Sequence, residues 1–298
     1  MFGKKIVALG VILLIGGSLI ACSSDPKVET TKSSSETITE AVVDDGAGDA
    51  TSQDQIVMIK DPNLEQIIRE QLGKSEGDIT VGDMEGVYSI NINYEETPVD
   101  FIDGLEYATN LNDFSFSNGT LTSLNPVGNL KNMGYLNVSY SSIEEPILAF
   151  ETPALDRISF IETNVSDFDF LKNVTTASDV SFTSCGITSI AFMKDWMALE
   201  SLNLDDNRII DLSPLEGKTL IKYLTLHQND IESIDALSTL KALETLNISY
   251  NNVSNIEPIM QLESLTEFTA YEDLDKKIID RGLLETLAGR GVLVEYHK

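Results

Sequence analysis

The stretch Leu199-Glu200-Ser201-Leu202-Asn203-Leu204-Asp205-Asp206-Asn207-Arg208-Ile209 returns, little changed, as Leu243-Glu244-Thr245-Leu246-Asn247-Ile248-Ser249-Tyr250-Asn251-Asn252-Val253. Working outward in both directions, Leu111, Met133, Leu155, Ala177, Leu199, Ile221, Leu243 and Leu265 recur every 22 residues without an insertion. Count this residue as place one. Place four then holds Phe114, Leu136, Ile158, Val180, Leu202, Leu224, Leu246 and Phe268, and place six holds Phe116, Val138, Phe160, Phe182, Leu204, Leu226 and Ile248. Alternation at those places predicts a short strand with one face buried. Place eleven holds Leu121, Ile143, Val165, Ile187, Ile209, Ile231 and Val253. Further apolar columns follow at places fourteen, seventeen and twenty, and only Pro146, Thr152 and Lys218 interrupt the seven columns. One such unit cannot bury its own apolar residues, but stacked units share a continuous core, which is why repeats of this length come in arrays.

The pattern L-x-x-L-x-L-x-x-N-x-I resembles a leucine-rich repeat. The 22-residue length is similar to the internalin-like class, whose convex side is extended or 3₁₀ rather than α-helical. The resemblance runs from about Ile56 to Lys298. It implies an α/β fold: a curved right-handed solenoid with a parallel β-sheet on its concave face, a helical N-terminal cap and a helix-strand C-terminal cap. Asn is the family's usual residue at place nine, where its side chain pairs with main-chain groups at the strand exit. Here that column reads Gly119, Ser141, Thr163, Cys185, Asn207, Asn229, Asn251. Cys185 is expected to be a buried member of the ladder, and the N-terminal repeats are expected to open more readily than the C-terminal three.

Caps bound the array. In Ile56 to Lys74, Asp61 is placed to cap a helix, Pro62 lies in its first turn, Leu64, Ile67, Ile68 and Leu72 follow at helical spacing, and Gly73 stops it. Residues 54–88 form this cap, with Asp78-Ile79-Thr80, Asp83 and Met84 completing it. Ser89 to Asn110 is expected to hold the register through Ile92, Tyr94, Val99, Ile102, Leu105 and Ala108, so that repeats span 89–264. Residues 265–298 supply a last strand and the C-terminal cap, with a helix expected over Leu274 to Arg290 and a strand over Val292 to Tyr296.

The N-terminus reads as an export leader. Lys4 and Lys5 precede the apolar run Ile6 to Ile20, which ends on Ala21. Leu19-Ile20-Ala21-Cys22 resembles a bacterial lipobox, implying cleavage after residue 21 and lipidation of Cys22. The expected location is therefore the extracytoplasmic face of the cell membrane, held by lipid. Residues 22–53 are rich in Ser, Thr, Asp, Glu, Ala and Gly and contain no aromatic residue. Such a composition cannot offset ordering entropy and reads as a tether, reaching roughly 30 Å as a flexible coil.

The chain carries 48 acidic and 20 basic residues, a formal charge of −28 that becomes −30 when Lys4 and Lys5 leave with the leader. A nucleic-acid partner is thereby disfavoured and a cationic one favoured. Apart from Cys22 the one other thiol is Cys185, so the mature chain has no intrachain disulfide to lean on.

Places three, five and seven face the open side of the sheet. There and on the adjoining rim at place eight lie Tyr135, Tyr140, Arg157, Asp205, Tyr223, His227, Tyr250 and Tyr271; five of the nine tyrosines fall on this one face. Tyrosine and arginine on a rigid surface are the residue types that anchor protein interfaces. The expected function is binding a protein or glycan at the cell surface through the concave face, as a monomer and without a cofactor or metal. The alternative is an envelope scaffold or assembly factor without a concave-face ligand. Asp205, His227 and Ser249 also stand at one offset in neighbouring repeats, in the order of a hydrolytic triad. Against that reading, there is no nucleophile elbow such as G-x-S-x-G, and an open sheet offers no evident oxyanion hole.

Overall fold

The structure is a computed structural model that describes residues 52–271 and 279–296. The leader, Cys22, the tether up to residue 51 and His297 lie outside the described residues. Within them, parallel strands stack in chain order: β1 (Ser89–Asn93), β2 (Asp113–Ser117), β4 (Tyr135–Ile143), β5 (Arg157–Thr163), β6 (Asp179–Thr183), β7 (Ser201–Asn203), β8 (Tyr223–Thr225), β9 (Thr245–Asn247), β10 (Glu267–Thr269) and β11 (Leu293–Glu295). A short β3 (Thr120–Leu121) pairs with the far end of β4. From β2 to β10 every pairing joins residues 22 apart, such as Phe114 with Leu136 and Leu224 with Leu246. This is the curved leucine-rich-repeat solenoid that the resemblance implies.

Burial follows the columns. Leu111, Phe114, Phe116, Leu121, Leu124 and Val127 are all buried, and the same places stay buried along one cluster from Val57 to Val292. Single-turn 3₁₀ helices at Asn125–Val127, Asp169–Leu171, Ala191–Met193, Ser213–Leu215, Asp235–Thr239 and Glu257–Ile259 carry the convex side. The repeat 133–154 departs from this. It lacks the 3₁₀ turn, its Pro146 and Ala149 are exposed, and Phe150, one place later, is buried instead. Phe150 meets Phe170 edge-on at 5.2 Å and opens a run of aromatic contacts through Phe160, Phe168, Phe182 and Phe192 to Trp196.

The first repeat corrects the expected register. β1 pairs Ile90 with Phe114 and Ile92 with Phe116, so the step is 24 residues, not 22. Ile90 and Ile92 are the inward pair of the alternating Ser-Ile-Asn-Ile-Asn strand, and the two extra residues are taken up in the turn after Asn93, where Glu96 and Thr97 both donate to the Asn93 oxygen. Tyr94 therefore leaves the core column, packs edge-on against Phe116 and donates its phenol proton to Asp100 at 2.9 Å. Val99, Ile102, Leu105 and Ala108 remain buried as expected.

In the N-terminal cap, α1 (Pro62–Leu72) starts at Asp61, whose carboxylate accepts the N–H groups of Asn63 and Leu64, and stops at Gly73 with φ 62°. The second oxygen of Asp61 accepts the N–H of Asp100, so one buried carboxylate both caps the helix and ties it to the first repeat. Thr80 and Asp83 form a capping box on α2 (Val81–Met84). The ordered cap reaches back to a 3₁₀ turn at Ser52–Asp54, where Gln53 bonds Glu85. At the other end Ile279 and Asp280 are not helical. Asp280 caps α3 (Arg281–Gly289), and β11 then closes the sheet.

Candidate functional site

The face is built in rows, because each 22-residue step lays one side chain beside its equivalent on the next strand, about 4.8 Å away. The place-three row reads Asp113, Tyr135, Arg157, Asp179, Ser201, Tyr223, Thr245, Glu267 along paired strands. The Arg157 guanidinium carbon lies 4.8 Å from the centre of the Tyr135 ring, within the range of a cation–π contact. Tyr223 is 48% exposed, and its phenol donates to Glu244 at 3.5 Å. Lys222 is paired with Glu200 at 2.7 Å.

The place-five row is a floor of small polar residues: Ser115, Asn137, Ser159, Ser181, Asn203, Thr225, Asn247 and Thr269. Its amides are occupied with the protein itself. Asn203 accepts the N–H of Asp205, Asn247 accepts that of Ser249, and Asn137 donates to Ser115. The bonds of Asn203 and Asn247 hold the place-seven backbone at Asp205 and Ser249.

Place seven carries Asp205, His227, Ser249 and Tyr271, and the bonds they make are not those of a triad. One oxygen of Asp205 accepts the main-chain N–H of His227 at 2.8 Å. Ser249 is buried, and its hydroxyl accepts the main-chain N–H of Tyr271 at 3.0 Å. The His227 ring instead meets the Tyr250 ring edge-on at 5.1 Å. The acid and the hydroxyl are thus engaged with backbone while the imidazole faces an aromatic ring, so the candidate hydrolytic arrangement is not assembled. Burial raises the Asp205 carboxyl above its ordinary range, against the opposing pull of the His227 N–H. Burial is also the main cause that raises the Tyr271 phenol, assisted by Glu295, to which it donates at 3.3 Å.

Place eight is conformationally distinct. Asn118, Tyr140, Glu162, Ser184, Asp206, Gln228 and Tyr250 all have φ between 49° and 63°. The chain leaves each strand through one left-handed residue, a conformation that costs a side-chain-bearing residue about 1–2 kcal/mol. The kink sets the rim residues at the end of the sheet and leaves Tyr140 exposed. The expected site residues therefore fall into two groups. Tyr135, Tyr140 and Arg157 lie on β4 and β5, while Asp205, Tyr223, His227, Tyr250 and Tyr271 lie towards the C-terminal end. Tyr135 and Tyr223 are four strands apart, roughly 19 Å.

Behind the face, place nine makes the ladder. Asn207 Oδ1 accepts the N–H groups of Cys185 and Ile187, and its amide donates to Phe182, Leu204 and Asp205 oxygens. Asn229 and Asn251 each accept one N–H, of Ile209 and Ile231, and likewise donate to three main-chain oxygens. Cys185 is buried, with its thiol directed at the Phe160 and Thr183 oxygens, and burial pushes its pKa up, the reverse of an activated thiol. The N-terminal repeats find substitutes. Asn164, one place later than the ladder, both accepts from Ile143 N–H and donates to its oxygen, and β3 adds strand pairing where Gly119 has no side chain.

Away from the sheet, Glu144, Glu145, Asp167 and Asp169 line a recess of about 480 Å³ with Ile147 and Phe170. Among the described residues no three His, Cys, Asp or Glu side chains are grouped to hold a metal ion.

Comparison with known proteins agrees with this architecture. Residues 219–259 match the family model for leucine-rich repeats (two copies). No curated protein matches the chain. Among solved structures, internalin C2 from Listeria monocytogenes is 24% identical with a TM-score of 0.58, covering 80% of this chain and 93% of its own. Internalin F from the same organism is 23% identical with a TM-score of 0.57. That match covers 80% of this chain, which spans only 64% of the internalin F structure. The repeat spacing, the parallel sheet and these neighbours together identify the chain as carrying a leucine-rich-repeat domain of internalin-like fold.

Proposed function

We propose that this protein is held by lipid on Cys22 at the outer face of the cell membrane and binds a protein partner through its concave sheet. The observation that carries the reading is the grouping of Tyr223, His227, Tyr250 and Tyr271 on adjoining repeats of an open, rigid surface. Aromatic side chains on a preorganised strand surface bring large contact area at little ordering cost, which is the character of interface anchors. The spent hydrogen-bonding groups of Asp205 and Ser249 favour binding over hydrolysis at the same place.

The test is crosslinking of the chain to surface extracts beside a Tyr223→Ala, Tyr250→Ala variant. Capture of a partner by the parent and not by the variant supports a concave-face receptor. Capture by both moves the function to the caps or the convex side, as an envelope scaffold would require. For the anchor, Cys22→Ala is expected to release the protein from cells and to abolish incorporation of labelled fatty acid; retention of label would overturn the lipid assignment.

A further inference from the structure

The place-three row contains the same motif twice. Tyr135, Arg157 and Asp179 stand on three successive strands, and so do Tyr223, Thr245 and Glu267. In the first triplet the middle position is filled by the protein's own guanidinium, seated 4.8 Å from the tyrosine ring. In the second triplet the flanking tyrosine and acid are retained, but the middle residue is a threonine, too short to cover either neighbour. Tyr223 is left 48% exposed, and no hydrogen bond or ion pair of the Glu267 carboxylate is found among the described residues.

The surroundings share one sign. Among places three, five and seven of the described strands the acidic residues are Asp113, Asp179, Asp205, Glu267 and, in β11, Glu295, whereas Arg157 is the only lysine or arginine. Glu244 borders Tyr223, and the nearby Lys222 is already paired with Glu200. The groove floor is low because Thr225, Asn247 and Thr269 are small, so a long side chain can lie across it.

We infer that the space above Thr245, between Tyr223 and Glu267, is the seat of an arginine side chain from the protein partner, which repeats in trans the stacking that Arg157 makes on Tyr135 in cis. This deepens the proposed concave-face function and rests on it. A guanidinium suits the place because it is planar, stacks on a tyrosine face and presents donors to a carboxylate at its edge.

The experiment uses the full chain and a labelled nine-residue Gly/Ser peptide carrying three arginines, with a glutamine analogue as control, followed by fluorescence anisotropy at low ionic strength. The arginine peptide is expected to bind and the glutamine peptide not. Thr245→Arg, which supplies the cation in cis, and Glu267→Gln should each weaken binding by about two- to five-fold, the scale of one exposed cation–π or charge contact. Glu216→Gln, an equal change of charge at an exposed position off the sheet, should change it by less than about two-fold. An equal loss in Glu216→Gln, or full binding by Thr245→Arg, overturns the inference in favour of net charge alone. A surface partner lost by the Tyr223→Ala, Tyr250→Ala variant but still bound by Thr245→Arg would overturn it while leaving the concave-face function standing.

Discussion

The ammonium of Lys218 lies 2.9 Å from the main-chain oxygen of Trp196, inside a core column whose other members include Leu130, Val174, Leu240 and Leu262. It also donates to the Lys194 oxygen at 3.0 Å, and the side chain is fully buried. Lys218→Ala strips the buried Trp196 carbonyl and the half-buried Lys194 carbonyl of their donor and leaves a cavity, so a loss of about 3 kcal/mol is expected in denaturant unfolding. Burial holds the Lys218 pKa below its ordinary value, although Asp195 opposes the shift. The folded state therefore binds fewer protons than the unfolded state between that lowered pKa and the unfolded value of about 10.5. Within that window the stability of the parent relative to Lys218→Met rises with pH. A difference that stays flat from neutral pH to pH 10 would show that the ammonium is not desolvated.

Seven side-chain-bearing residues hold the left-handed conformation at place eight. Glu162 is the clearest position to relieve, since its exposed side chain has no hydrogen bond among the described residues. Glu162→Asn is expected to add about 0.5–1 kcal/mol of stability, because Asn tolerates that backbone better. Thermal unfolding checks this: the midpoint should rise by about 1–4 °C. A lower midpoint would contradict the strain reading.

The ladder gives a contrast within one column. Asn229→Ala removes the acceptor for Ile209 N–H and the donor to three oxygens, two of those contacts buried, and should cost about 3 kcal/mol or more. Restoring the usual residue at the other end should also fail. A Cβ on Gly119 would lie 2.2 Å from the Tyr94 ring, so Gly119→Asn is expected to destabilise, and Gly119→Asn in a Tyr94→Ala background to be tolerated better. Measured unfolding energies of the two singles and the double decide the point.

Ser249 offers a check on chemistry against architecture. Its buried hydroxyl accepts the Tyr271 N–H, so Ser249→Ala is expected to cost about 1–2 kcal/mol and to leave any background ester turnover unchanged. Loss of turnover with stability retained would instead argue for a nucleophile.

Hydrogen exchange tests the expected difference between the halves of the array. The amides of Ile187, Ile209 and Ile231 are held by Asn side chains. They are expected to exchange more slowly than that of Val165, which donates to the Thr163 hydroxyl at 3.4 Å. Ile143, held by Asn164, should behave like the first group. Uniform rates along the chain would remove the distinction.

Sequence by itself determined the repeat length, the strand positions from β2 onward, most of the buried columns and the caps of α1, because each depends on spacing and on local chemistry: a 22-residue period, alternation at places four and six, Asp61 before Pro62, Gly73 after Leu72. It also listed the face, since a parallel in-register stack turns every 22nd residue into a neighbour. Only the tertiary structure decided what those neighbours do. Asp205, His227 and Ser249 share an offset, yet two of them bond to backbone amides that become available only where the strands end. Two extra residues after Asn93 moved Tyr94 out of the core and made Gly119 necessary, a steric relation between residues that no local pattern couples. Lys218 reads as a break in a column until the oxygens of Lys194 and Trp196 are seen to converge on it. Periodicity fixes which residues meet, whereas which donor finds which acceptor depends on angles and on burial that arise only when the turns are stacked.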